Sequence, residues 1–103
     1  MSDDAEMAAR GEVLARELFP GVEAVEELAN GYAYRFPGDE SRATNVLDFV
    51  AAERRCCPFF TFELIFLPHG GPIWLRLRGS EAIKAFVRDQ LHAAHGLVPA
   101  AHA

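Results

Sequence analysis

The chain has 103 residues, of which 50% are hydrophobic and 24% are charged, and its net charge is −5. This length and composition suit one folded domain with a substantial core and exclude a largely disordered protein. The acidic balance disfavours a nucleic-acid partner, because phosphate binding requires a basic surface. No apolar run approaches the ~20 residues of a membrane helix, so we expect no membrane partner.

The N-terminal residues Met-Ser-Asp-Asp-Ala-Glu are acidic and contain no positively charged leader ahead of an apolar stretch. We therefore expect a cytoplasmic protein, in which two cysteines are thiols by default. We also expect a single α+β domain over residues 1–103, with frayed ends at residues 1–5 and 97–103.

The first third of the chain predicts a helix and a hairpin. Apolar residues recur at helical spacing over 3–18, where Gly11 weakens the predicted helix. Strands are predicted over 22–29 and 32–37. A tight type I′ turn at Asn30-Gly31 would join them, because both central residues of that turn need positive φ. This turn would place Val25 opposite Phe36.

The rest of the chain predicts a helix, a second hairpin and a last helix. Ser41 is a plausible N-cap, and the predicted elements are a helix over 42–56, strands over 60–67 and 73–78, and a helix over 81–94 that Gly96 ends. One hairpin register puts all the apolar residues on one face, since a one-residue slip would mix the faces. That register pairs Phe66 with Ile73, Leu64 with Leu75 and Phe62 with Leu77.

The predicted element order is α-β-β-α-β-β-α. Two hairpins joined through a helix indicate an α+β fold, with one four-stranded antiparallel sheet and helices packed on one of its faces. The other face would carry Trp74, Ile65 and tyrosine or valine positions. Such a face would be a second packing surface or the interface of a homodimer.

The stretch Glu53-Arg54-Arg55-Cys56-Cys57-Pro58-Phe59 is the part of the sequence most suited to chemistry. The apolar stripe of the preceding helix runs directly into Glu53 and then into both cysteines. A carboxylate on a core-facing stripe is costly unless it is paired or protonated, which makes Glu53 a candidate site residue. The alternative is that Glu53 lies at the helix edge and pairs with an arginine.

Pro58 disfavours the helical conformation for Cys57, so the helix should end near Cys56. Neighbouring Cα atoms lie ~3.8 Å apart, closer than in ordinary disulfides, so a bond between the two thiols would be strained. The influences on the thiols conflict. Arg54 and Arg55 favour thiolate, whereas the negative end of the helix dipole and an ionised Glu53 oppose it.

Vicinal thiols can hold a soft metal that accepts low coordination, such as mercury(II) or copper(I). A structural zinc site needs four ligands, and Glu53, Cys56 and Cys57 supply at most three. A fourth ligand could be His69, a water or a partner subunit. The alternative is that the cysteines simply pack in the core, as free cysteines often do. A His92–His95 pair could also bind metal, but a solvated helix end is the simpler interpretation.

The Glu-x-x-Cys-Cys-Pro-Phe segment at 53–59 resembles a group of small bacterial proteins of unknown function that share this motif. The resemblance covers roughly residues 30–90 and includes Phe62-Glu63-Leu64, Gly71-Pro72-Ile73-Trp74-Leu75 and Arg78-Gly79. Some members occur beside mercury or other heavy-metal resistance genes. The resemblance implies metal–thiol chemistry and no particular reaction.

Three functions follow as hypotheses. The first is a cytoplasmic thiol protein that binds a soft metal ion (mercury, copper or zinc) through Glu53, Cys56 and Cys57. The second is a thiol-dependent enzyme or redox protein in which Cys56 or Cys57 works with Glu53 as a nucleophile and a base. The third is a structural module with buried cysteines that forms a homodimer.

Overall fold

The computed structural model describes residues 3–100, and its element order is the predicted α-β-β-α-β-β-α. A 3-10 turn, Phe19–Gly21, follows the first helix. The helices and strands are α1 (Asp3–Leu18), β1 (Ala24–Leu28), β2 (Gly31–Phe36), α2 (Glu40–Cys56), β3 (Thr61–Phe66), β4 (Ile73–Arg78) and α3 (Glu81–Phe86). The α+β prediction is therefore confirmed.

The four strands form one antiparallel sheet in the order β1-β2-β4-β3. The predicted register of the second hairpin is confirmed, because apolar side chains on both strands must reach one buried face. Its pairs are Phe66 with Ile73, Leu64 with Leu75, and Phe62 with Leu77.

The first hairpin has a different register from the one predicted. Leu28 pairs with Gly31, so Ala29 and Asn30 form the turn, and Val25 lies opposite Tyr34 rather than Phe36. Gly31 belongs to β2, where a Cβ would collide with the carbonyl oxygen of Leu77 on β4. The glycine is therefore needed because the backbone of β4 approaches β2 closely at this position, and not because a turn requires positive φ. The two-residue shift leaves the same side chains on the core face.

Helix α2 begins earlier than predicted, and its N-cap is Asp39 rather than Ser41. The Asp39 carboxylate accepts a hydrogen bond from the backbone N–H of Arg42 at 3.0 Å. An aspartate three residues ahead of that amide satisfies a donor that the helix itself leaves free.

The last helix begins at Glu81 and is ended by Gly96, as predicted, but it is not α-helical throughout. Ser80 accepts from the N–H of Ile83, and Gly96 ends the helix at φ 63°. Between them α3 passes into a π-helical segment, Val87–His92, and then a final turn, Ala93–His95. We call the whole stretch 81–95 the C-terminal helix. Its wider π-helical turn carries two buried residues, Val87 and His92.

The core lies between the helices and one face of the sheet, and Phe19 is at its centre. The Phe19 ring makes edge-to-face contacts with Tyr34, Phe36 and Phe49, with centroids 5.3–5.7 Å apart. Tyr34 and Phe36 are fully buried on this face. The expectation of tyrosines on the opposite face is therefore wrong, because β2 turns them toward the helices.

The frayed ends predicted at 1–5 and 97–103 fall partly on residues 1–2 and 101–103, which lie outside the described residues. Within the described part, α1 already begins at Asp3. The tail lies beside β1, where the N–H of Ala100 donates to the carbonyl oxygen of Val25 at 2.8 Å. None of the helices in 3–100 combines the length and the apolar character needed to cross a membrane.

Candidate functional site

Helix α2 ends at the two cysteines, as the sequence predicts. Cys57 is the C-cap, and its N–H donates to the carbonyl oxygen of Glu53 at 2.7 Å. Its backbone, φ −128° and ψ 74°, lies outside the helical region, which Pro58 disfavours for the residue before it. Both cysteines are free thiols; Cys57 is buried and Cys56 is partly exposed.

The two thiols and Glu53 line one cavity of about 470 Å³. The cavity lies between α1, the end of α2, the second hairpin and the C-terminal helix. Most of its wall is apolar, and the side chains that form it include Phe49, Phe60, Phe62, Leu77, Phe86 and Leu91. The structure therefore brings the three predicted site residues together at the edge of a space large enough for a small molecule.

The carboxyl group of Glu53 is partly withdrawn from water. Burial raises its pKa, and the nearby charge of Glu12 adds to the effect, whereas a hydrogen bond from the Cys57 thiol acts in the opposite direction. Burial dominates, so the pKa lies above the usual value. No arginine forms an ion pair with Glu53 among the described residues, and the predicted alternative of an arginine partner is not observed.

The Cys57 thiol lies beside Cys56 and Glu53 at the cavity wall. Burial raises the pKa of Cys57 to about 12, and hydrogen bonds with Cys56 and Glu53 and the charge of Glu53 contribute in the same direction. Arg54 and Arg55 are exposed and do not offset these influences. Cys57 is therefore a protonated thiol at neutral pH and not a preformed nucleophile.

The predicted fourth ligand, His69, lies at the wrong end of the hairpin. It sits in the turn after β3 with φ 60°, whereas Cys57 precedes the start of β3. Six strand residues at ~3.3 Å each put roughly 20 Å between the two positions. Across the described residues, no three His, Cys, Asp or Glu side chains are placed to hold a metal ion.

The two histidines of the C-terminal helix do not form a solvated helix end. His92 is 4% exposed, and its Nε2 forms a 2.8 Å hydrogen bond with the hydroxyl of Tyr34. His95 lines the cavity and lies 5.6 Å from the Phe19 ring, centroid to centroid. The sequence interpretation is wrong here because the π-helical turn rotates His92 into the core.

Sequence reasoning missed the part of the site that α1 and the C-terminal helix contribute. Gly11, Arg16, Gln90 and His95 all line the cavity. These residues come from both ends of the chain, and no local pattern links them to the cysteines. The one available signal was Gly11, a glycine in the middle of a helix, where an ordinary residue would be more stable by about 1 kcal/mol.

The arrangement offers two adjacent sulfur donors, one carboxylate in contact with them and an apolar space beside them. Such a set can bind a thiophilic atom or, with a deprotonated thiol, attack an electrophile.

In comparisons with known proteins, no family model, no curated protein and no solved structure matches this chain.

Proposed function

We propose that the protein binds a soft metal ion, such as mercury(II) or copper(I), through the thiols of Cys56 and Cys57. The observation that carries the proposal is that Cys56, Cys57 and Glu53 together line the wall of one cavity. Soft ions prefer sulfur donors, and two of them are already adjacent.

The pair of thiols favours an ion that accepts two ligands. Zinc in a structural site takes four ligands in a tetrahedral arrangement. Because no three His, Cys, Asp or Glu side chains among the described residues are placed to hold a metal ion, the two thiols are the donors that the site supplies, and His69 is too distant to join them. Mercury(II) and copper(I) accept low coordination, so the set is sufficient for them.

The raised pKa of Cys57 bears more on the enzymatic alternative than on metal binding. A nucleophilic cysteine must be a thiolate before it reacts. A metal ion, in contrast, displaces the proton as it coordinates the sulfur. The Glu53 carboxylate already accepts a hydrogen bond from this thiol, so we assign it the role of receiving the released proton.

The proposed binding requires reduced thiols, which fits a cytoplasmic location. The cavity also supports the proposal over a purely structural role. Cysteines that only fill a core would be packed among apolar atoms, whereas these line an open space beside a carboxylate.

Native mass spectrometry with mercury(II) tests the proposal. One equivalent of the ion is added, followed by excess glutathione, a monothiol that competes for mercury. We expect the wild-type chain to retain one ion, and Cys56→Ser and Cys57→Ser each to lose it, because a single thiol cannot chelate. Ala51→Ser, an exposed serine introduced on the same helix, is the matched control and should retain the ion. Retention by the Cys56→Ser/Cys57→Ser double variant would overturn the proposal.

A further inference from the structure

We propose that the natural ligand carries an organic group on its thiophilic atom, and that this group occupies the apolar cavity beside Cys56 and Cys57. The inference rests on the proposed function, since it assumes that the two thiols bind the thiophilic atom. It adds the class of ligand that the same site would accept.

The size of the cavity exceeds what a bare ion needs. Pockets for small organic molecules typically measure ~300–1,000 Å³, and this cavity measures about 470 Å³. An ion bound to the thiols would leave most of that space filled with water against apolar walls. An aryl or alkyl substituent would replace this water and bury apolar surface on both sides.

The mouth of the cavity is also aromatic. Phe86 lines it and is 45% exposed. The Phe59 ring, 52% exposed, stands nearly perpendicular to it with centroids 6.4 Å apart. Large side chains exposed next to a concave site are typical of surfaces that meet an apolar ligand.

A thiophilic atom that binds both thiols and also carries an organic group forms two bonds to sulfur and one to carbon, so its valence is three. A monosubstituted arsenic(III) compound has this valence. In a monosubstituted arsine oxide, the arsenic–oxygen bond and both S–H bonds break, and two arsenic–sulfur bonds form. The oxygen leaves with both protons as water, and the arsenic keeps its oxidation state. No oxidant or reductant is needed.

The test compares phenylarsine oxide with methylarsine oxide, which has the same thiol chemistry and a much smaller organic group. Intact mass spectrometry would measure the dithiothreitol concentration that removes half of each compound from the protein. The peptide Glu-Arg-Arg-Cys-Cys-Pro-Phe, which has the thiols but no cavity, gives the reference ratio. Because burial of a phenyl ring is strongly favourable, we expect the protein's preference for phenyl to exceed the peptide's by roughly tenfold or more.

Filling the cavity should remove the preference. Ala94 lines the cavity and is exposed, whereas its neighbour Ala93 is exposed and does not line it. We expect Ala94→Phe to reduce the phenyl-to-methyl ratio to that of the peptide and Ala93→Phe to leave it unchanged. Gln90→Trp, also at the cavity, is the second variant if Ala94→Phe does not fold.

The outcomes separate the two proposals. The inference would be overturned if the phenyl-to-methyl ratio were the same in the protein and the peptide. It would also be overturned if that ratio were the same in the folded cavity-filling variant and its control. In either case, retention of mercury(II) by the wild-type chain would leave the proposed function standing. Loss of Cys56- and Cys57-dependent binding for mercury(II) and for both arsenicals would overturn both.

Discussion

Gly11 of α1 lies directly against the carboxylate of Glu53 on α2. A Cβ at Gly11 would overlap Oε1 of Glu53, so only a glycine leaves room for the carboxylate in its observed position. A glycine in a helix interior costs about 1 kcal/mol relative to alanine. The two helices therefore give up some intrinsic stability at the point where the site's carboxylate enters the cavity.

Gly11→Ala should separate the stability of the fold from the function of the site. In a Glu53→Ala background, we expect the free energy of unfolding to rise by about 1 kcal/mol, because alanine is the better helix former. With Glu53 present the gain should be smaller, since the carboxylate must move. Urea denaturation of the wild type, Gly11→Ala, Glu53→Ala and the double variant measures this coupling as a double-mutant cycle. Equal gains in both backgrounds would show that the Gly11–Glu53 contact has no energetic consequence.

The same substitution should weaken mercury(II) binding only through Glu53. We expect Gly11→Ala to lower retention of the ion in the glutathione challenge, because it displaces the carboxylate next to Cys57. In the Glu53→Ala background the substitution should have no further effect. A loss that persists in that background would mean that Gly11 acts on the thiols by another route.

The two cysteines should differ sharply in alkylation. Cys56 is partly exposed, whereas Cys57 is 9% exposed and burial holds its pKa at about 12. Iodoacetamide at pH 8 should therefore modify Cys56 in the native protein and Cys57 only after unfolding. Peptide mass spectrometry over a time course gives both rates, with the denatured chain as the control. Faster native labelling of Cys57 would contradict the site geometry and favour the enzymatic hypothesis.

The buried Tyr34–His92 hydrogen bond should contribute measurably to stability. Tyr34 is fully buried, and Nδ1 of His92 already has no partner among the described residues. Tyr34→Phe would leave the imidazole without its remaining partner, and we expect a loss of about 1–3 kcal/mol in the free energy of unfolding. Thermal or urea denaturation measures it. A change below a few tenths of a kcal/mol would show that the bond is not maintained in solution.

Stability should fall as the pH is lowered through the range where a free histidine titrates. Burial lowers the pKa of His92 in the folded state, so below about 6.5 the unfolded chain binds a proton that the folded chain does not. Proton binding to the unfolded state alone favours unfolding, and the loss continues until the pH reaches the lowered folded-state pKa. Above about 7 the effect disappears.

His92→Gln isolates this contribution, because glutamine retains hydrogen-bonding capacity and does not titrate. We expect the wild type to lose stability relative to the variant as the pH falls from 7 toward 5. Burial and the charge of Arg16 also lower the pKa of His95. Since His95 is present in both proteins, its contribution cancels from the comparison. A difference that stays constant across this range would contradict the buried, neutral state of His92.

The fold could be predicted from the sequence wherever a local pattern has one physical solution. The second hairpin has such a pattern, because only one register puts Phe62, Leu64 and Phe66 on the same face as the apolar residues of β4. The first hairpin does not. Its Asn30-Gly31 pair looks like a turn signal, but Gly31 is needed for a close approach to β4, and Asn30 is bound to Arg78 at 2.7 Å.

The candidate site could be predicted only where its residues are close in sequence. Glu53, Cys56 and Cys57 share one stripe of α2, and Pro58 sets where that helix ends. The cavity beside them could not be predicted, because its other walls come from α1 and the C-terminal helix. The π-helical turn has no sequence signal either, and it decides that His92 is buried in the core.

The most direct test of the central claim is X-ray absorption spectroscopy of the protein loaded with one equivalent of mercury(II), which counts the sulfur atoms bound to the metal. We predict two sulfur neighbours in a monomeric chain, supplied by Cys56 and Cys57, and one in either single serine variant. One sulfur in the wild type, or four sulfurs accompanied by a dimer, would contradict the claim that the two thiols of a single chain share one ion.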